Sequence, residues 1–287
     1  VYDMHSSLPE QLGNFRYTGS ALLRPLFALS ERWTIRGSAA VIVICPYLEK
    51  VVAKVDPERP CFVIENSPLA EARQSVREEE IAELKKSHGL EDSVVIGYTG
   101  TFEAYQGIDL LLDAVHWVTG RDDRARLLMV GGHADQIRQA QEAVREKGLE
   151  GKVVFAGQRP PVEMPVYLAA TDILVSPRSR GHNTPLKIYS YLRAGKPIVA
   201  TRLLTHTQVL DDEVAELTAA EPEAFGRGIL TLIRDPQRAK SLANQARRRA
   251  EERYSYEHYL EKTRRALDFL SRTAESEKAV PRQAPSR

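Results

Sequence analysis

PRSRGHNTPLKIYSYLRAGKPIVAT, residues 177 to 201, runs from a strand end through a loop into a helix, a glycine stop and a second strand. Asn183-Thr184-Pro185 reads as a helix entry: Thr or Asn can cap, and Pro185 sits where its missing N–H is not needed. Leu186, Tyr189 and Leu192 recur at helical spacing and Gly195 ends the run. The loop before the helix carries Arg178, Arg180, Gly181 and His182. Helix N-terminal amides and the positive dipole end, facing two arginines and a glycine, make an anion site. The competing reading is an ordinary helix of an α/β repeat whose arginines face solvent, and spacing alone leaves both open.

Around this stretch, 287 residues suffice for a substantial core and two domains. Forty Lys and Arg against 39 Asp and Glu leave a net charge of +1, which argues against gripping nucleic acid through bulk charge. Cys45 and Cys61 lie in or beside apolar strand-like runs; two cysteines imply no disulfide framework and no metal-ligand spacing, and they fit a reducing, cytoplasmic setting. No apolar run reaches the ~18 residues of a spanning helix, and no signal peptide is visible. The chain opens on Val1-Tyr2-Asp3, the end of a strand, so the front of the first domain is expected to be absent. The polar segment Thr273 to Arg287, with its prolines, is expected to be disordered.

Strand-like runs are predicted at Val41–Cys45, Cys61–Ile64, Val94–Tyr98, Arg126–Val130, Val153–Ala156, Ile173–Ser176, Ile198–Ala200 and about Ala215–Thr218. Helical patterns fall between them. Ile108, Leu111, Leu112 and Val115 form the i, i+3, i+4, i+7 stripe of a helix packed on a sheet. Continuous apolar strands alternating with helices imply α/β architecture with parallel sheets covered on both faces. Residues 1–69 read as a partial Rossmann-like domain, 70–92 as a charged linker with an exposed helix, and 93–254 as a nearly complete Rossmann-like domain. Its ligand belongs at the carboxyl ends of the strands. Three loops lie there: Gly97 to Thr101, Gly131-Gly132-His133, and Arg178 to Thr184. Neither glycine cluster is a dinucleotide fingerprint. Gly131 and Gly132 read as tight turns, Thr99 and Thr101 as polar turn residues that lean towards a ligand, Tyr98, Phe102 and Tyr105 as packing or rim residues, and Tyr189 and Tyr191 as residues packing around the helix.

With these loops placed, the chain resembles the large retaining glycosyltransferase family four (glycosyl transferases group 1), whose GT-B fold pairs two Rossmann-like domains. Val95 to Ala114 (VIGYTGTFEAYQGIDLLLDA) looks like the strand, loop and helix opening its donor domain. Leu127 to Gly132 (LLMVGG), Val153 to Gly157 (VVFAG), Asp172 to Pro177 (DILVSP) and Gly195 to Thr201 (GKPIVAT) follow its pattern, as does Cys61 to Pro68 (CFVIENSP) at the end of its first domain. The resemblance implies that residues 255–272 form a helix packing back towards the first domain, with 273–287 as a tail. It also implies that roughly 80 to 110 residues of the first domain are missing, so these 287 residues are expected to be inactive alone.

The resemblance implies transfer of a sugar from a nucleotide-diphospho-sugar to a saccharide or lipid-linked acceptor, with retention. It implies donor or phosphate contacts from Gly100, Thr101, Gln106, Arg178, Arg180, Gly181, His182, Asn183, Thr184, Pro185, Leu186, Lys187 and Ser190, and a catalytic role for His5. Two departures stand out. The family's paired glutamates fall at His182 and Ser190, and its Arg and Lys fall at Thr101 and Gln106. Arg178, Arg180 and Lys187 are candidates to compensate, Lys187 being alternatively a solvated helix lysine. Closely spaced acidic ligands for a metal are not evident, so metal independence and no cofactor are expected. His5 reads either as the active-site histidine or as a structural residue capping a turn through Ser6 and Ser7. His182 either bonds a sugar hydroxyl or is a simple loop histidine. Leu22 to Trp33 (LLRPLFALSERW) is amphipathic, either a core helix or a peripheral contact with the inner face of a membrane. Alternative functions are a non-catalytic sugar-nucleotide-binding subunit and, with no convincing pair of acid/base carboxylates, a nucleotide-sugar epimerase.

Overall fold

The computed structural model describes residues 1–10, 23–67 and 76–279. Two units emerge: Val1–Asn66 with Tyr256–Arg287, and Ser67–Ser255. In the first, β1 (Tyr2–Met4), β2 (Val41–Val43) and β3 (Cys61–Val63) form a parallel sheet in that order. Helices α1 (Leu23–Gly37) and α2 (Pro46–Val55) are the crossovers. Met4, Ile35, Val41, Val43, Cys45, Leu48 and Val52 are fully buried between sheet and helices. Strand β2 stops at Val43, short of the predicted Cys45, because Pro46 starts α2 and Cys45 becomes its extended N-cap.

Two predicted features of this unit are corrected. Helix α11 (Tyr256–Ala279) continues beyond 272 into the segment expected to be disordered. Residues 273–279 contain no glycine or proline, and the first breaker is Pro281. The helix packs on β3 through Phe269 against Phe62 (centroids 5.6 Å apart) and through a Lys262–Glu65 ion pair. In α1 the inward face is Glu31 and Ile35, and the apolar residues Leu26, Leu29 and Trp33 are 59, 47 and 71% exposed. That stripe is therefore not the core face; Leu22 lies outside the described residues. No helix among the described residues is long and apolar enough to cross a membrane.

The second unit starts with α3 (Glu78–Ser87), a charged helix with no buried residue. Six strands follow: β4 (Val94–Thr99), β5 (Ala125–Val130), β6 (Val153–Gly157), β7 (Ile173–Ser176), β8 (Ile198–Thr201) and β9 (Glu216–Thr218). They form one parallel sheet in the order β6-β5-β4-β7-β8-β9. Between them run α4 (Ile108–Thr119), α5 (Ala134–Glu146), α6 (Met164–Ala169), α7 (Leu186–Ala194) and α8 (Leu204–Thr207), with α9 (Pro222–Arg234) and α10 (Pro236–Arg253) after β9. The predicted stripe Ile108, Leu111, Leu112 and Val115 is buried in the main core. Each such side chain contributes roughly 1.5–3 kcal/mol.

This strand order has a consequence. From β4 the chain winds outward through β5 and β6, and from β7 it winds the other way through β8 and β9. The sheet reverses between β4 and β7, and the crevice outside their carboxyl ends is where open α/β sheets take ligands. The loops after Thr99 and after Ser176 flank that point.

Candidate functional site

Tyr191 holds the two central strand ends together. Its buried hydroxyl accepts a hydrogen bond from the Thr99 N–H (2.9 Å), lies 3.1 Å from Thr99 Oγ1, and donates to Val175 O at 3.5 Å. Burial pushes this phenol up to about 12, despite the Thr99 hydrogen bonds that lower it. Close backbone contact then joins the loops. A Cβ on Gly131, whose φ is +116°, would stand 2.1 Å from Gly100 O. A Cβ on Gly107, φ +76°, would stand 2.0 Å from Pro177 O, and Ser179 N donates to Tyr105 O at 3.0 Å. Only glycine fits at either place. The three predicted loops thus meet at the switch point.

Helix α7 rises from this corner. It begins at Leu186, with Pro185 as an extended N-cap (φ −65°, ψ 134°) and no side-chain cap. The expected Asn183 or Thr184 cap is corrected: a residue preceding proline is driven to extended geometry, which moves the cap onto Pro185 itself. Thr184 is buried instead, with an Oγ1 that has no hydrogen-bond partner among the described residues.

The Lys187 ammonium is enclosed rather than solvated. The residue as a whole is half-buried, and its ammonium lies 3.9 Å from the centroid of the Tyr98 ring and beside Gly100. No group among the described residues hydrogen-bonds it. Burial pushes Lys187 well below the usual lysine range, and the charge of Arg178 adds to the effect. Arg178 Nη1 donates to Asn183 O (2.8 Å) and Thr205 Oγ1 (3.0 Å), and the guanidinium lies 5.0 Å from the Tyr105 ring centroid. Its Nε is buried without a partner among the described residues, as is Gln106 Oε1. Burial also lowers Arg178 from its ordinary value. Each unsatisfied buried polar group costs about 1–3 kcal/mol, more if charged. An anion here would satisfy the cationic and hydroxyl donors together.

The side chains of other predicted residues do not join this cluster. Arg180, Thr101 and His182 are exposed. Thr101 takes part through its carbonyl, which accepts from the Tyr98 hydroxyl at 2.6 Å, and His182 through its carbonyl, which accepts from Gln208 Nε2 at 2.6 Å. Ser190 is half-buried one turn further along α7. Gly181, φ +109°, lets the loop pass the Arg178 guanidinium. His5, in the first unit, is exposed at the end of β1 with Nε2 3.2 Å from Asp3 Oδ2, while Ser7 bonds Glu31 rather than His5.

Four residues carry more than the sequence reading allowed. From sequence Tyr98 reads as a packing or rim residue and Tyr191 as a packing one. Thr205 and His206 are not singled out by motif or spacing; their one sequence signal is a Thr-His-Thr triplet just after β8, on the ligand edge of the sheet. The His206 ring is fully buried, and burial first, then the charges of Lys187 and Arg178, hold it down to about 3 against the raising effect of its Thr201 hydrogen bond.

A family model described as glycosyl transferases group 1 matches residues 93–235. The chain is similar to a 2-deoxystreptamine glucosyltransferase of Streptomyces kanamyceticus, 28% identical over 64% of this chain and 48% of that protein. It is also similar to a phosphatidyl-myo-inositol mannosyltransferase of Mycobacterium leprae, 29% identical over 46% of this chain and 35% of that protein. The chain thus spans about half or less of the length of these curated relatives. Among solved structures, Anabaena Alr3699/HepE in complex with UDP and glucose superposes with a TM-score of 0.79 at 20% identity, covering 94% of this chain and 70% of that one. Sucrose-phosphate synthase from Thermosynechococcus elongatus gives 0.79 at 20%, over 94% and 67%. The fold is therefore the α/β, parallel-sheet architecture of the GT-B glycosyltransferases. Through residues 93–235 the chain belongs to the glycosyl transferases group 1 family.

Proposed function

We propose that this protein transfers a sugar from a nucleotide-diphospho-sugar to a saccharide or glycoconjugate acceptor, with retention of anomeric configuration and without a metal. The observation that carries the reading is the enclosed Lys187 ammonium and Arg178 Nε, set with the Thr184 hydroxyl at the start of α7, all three without a hydrogen-bond partner among the described residues. A diphosphate is the leaving group such a corner suits. Its charge grows as the anomeric C–O bond breaks, and preorganised cations and helix amides stabilise that growth without reorganising. The acceptor oxygen bonds to the anomeric carbon from the face the diphosphate leaves, and the acceptor proton passes to a departing phosphate oxygen. His5 is assigned to the sugar, and lipid-linked acceptors would bring a peripheral membrane contact.

Titration calorimetry with UDP-glucose, GDP-mannose and UDP, followed by transfer assays on the intact protein with and without EDTA, tests this reading. Donor binding, transfer that survives EDTA and an axial-to-axial or equatorial-to-equatorial product by NMR are expected. No binding of any nucleotide sugar defeats it. A second reading, a sugar-nucleotide-binding subunit without turnover, is favoured if His182 and Ser190 occupy the places that the family resemblance gives to paired glutamates; binding without transfer would select it.

A further inference from the structure

We propose that Thr205 is a positioning residue: locked in place by His206, it aims the amides of Asn183 and Thr184 and the Arg178 guanidinium at a bound diphosphate. The inference rests on the diphosphate reading above and extends it to residues outside the 177–201 stretch.

Three carbonyls of the loop are each held by the end of β8 and the segment that follows it. Thr201 Oγ1 donates to Arg178 O at 2.6 Å, Gln208 Nε2 to His182 O at 2.6 Å, and Thr205 Oγ1 to Asn183 O at 2.7 Å. In a trans peptide the C=O and the following N–H point in opposite directions. Anchoring the carbonyls of 182 and 183 towards α8 therefore turns the N–H groups of Asn183 and Thr184 the other way. Thr205 also accepts from Arg178 Nη1 at 3.0 Å, so one hydroxyl orients both the amides and the cation.

His206 keeps that hydroxyl in place, and its proton inventory is determined. Thr201 O, 2.8 Å from Nδ1, can only accept, so Nδ1 carries the hydrogen. Nε2 then accepts from Ser176 Oγ at 2.8 Å. Ser176 ends β7 and Thr201 ends β8, so the neutral ring bridges two strand ends, and Thr205 precedes it on a four-residue helix. Thr205 and His206 are both 0% exposed. A hydroxyl serving only to fill space there would be replaceable by valine, which has the same shape.

The test compares Thr205→Val and Thr205→Ser in the full chain. Affinity for UDP and for inorganic pyrophosphate is read by calorimetry, and amide hydrogen exchange is read over 179–184. Thr205→Val should weaken UDP binding by about tenfold, the loss of one to two oriented hydrogen bonds, and speed exchange in 179–184 while β4 to β8 keep theirs. Thr205→Ser should restore both within about twofold. Unchanged affinity in Thr205→Val, or equal losses in Val and Ser, overturns the proposal. If wild type binds neither probe, the diphosphate reading fails, and the exchange data alone decide whether Thr205 holds the loop. If the valine variant unfolds, Thr205→Ala, which also lacks the hydroxyl and adds no bulk, takes its place against Thr205→Ser: unchanged UDP affinity in Thr205→Ala overturns the proposal, and a loss that serine restores supports it.

Discussion

Two basic regions of the second unit are built in opposite ways. Along the flank of β8, β9 and α10, arginines meet carboxylates: Arg202 with Asp212, Arg238 with Glu216, and Arg249 with Asp211 and Glu213. At the switch point, Arg178 and Lys187 pair with no carboxylate among the described residues; their neighbours are carbonyls, hydroxyls and aromatic faces. The first region is internally neutralised and needs nothing further. The second carries two basic groups that meet no counter-charge among the described residues, an arrangement that costs stability unless an anion arrives. Unsatisfied charge, rather than the number of basic residues, marks the site.

The contrast breaks most directly through binding. Arg178→Ala should lower UDP affinity at least about a hundredfold, as expected when one member of a desolvated charge contact is removed, whereas Arg238→Ala should leave it within about twofold; calorimetry on both decides. Equal losses would mean that the buried pair is not special.

Acid tests the brace beside the cations. His206 is held neutral down to about 3, below its ordinary 6.5. The unfolded chain therefore binds one more proton between those values, and stability should fall as pH drops from 6.5 towards 3. His206→Gln should flatten that part of a denaturant-midpoint profile; an unaltered slope would remove the assignment.

A subtler effect concerns the cost of the enclosed lysine. Lys187→Met should stabilise the unliganded protein at pH 7 by about 1–3 kcal/mol while weakening UDP binding. Because its folded value lies below 10.5, the unfolded state binds more protons in between, so wild-type stability rises with pH and the advantage of Met shrinks towards pH 10. Thermal melts across that range read it. The smallest effect belongs to the neutralised flank, where Glu216→Gln should change stability by less than about 1 kcal/mol, Arg238 being well exposed.

The α/β class, the parallel sheets and the convergence of three loops were legible because strand hydrophobicity and helix periodicity are local signals. Ile108, Leu111, Leu112 and Val115 went to the core as their spacing required. The site was read less well. Arg178 and Arg180 look alike two residues apart, yet one is enclosed against Tyr105 and Thr205 while the other is exposed. Lys187 could face solvent or sheet from its spacing alone, and the cap moved from Thr184 to Pro185. Thr205 and His206, more than 20 positions from Arg178, join the site only through the β7–β8 pairing.

By itself, the order of apolar runs, turns and glycines determined a doubly wound sheet with its ligand edge at residues 97–101, 131–133 and 178–184, since backbone propensity and burial act over a few residues at a time. Which cations lose their water, and which hydroxyl aims them, was decided only by tertiary packing. Desolvation and hydrogen-bond direction depend on neighbours that the chain brings together from distant strands.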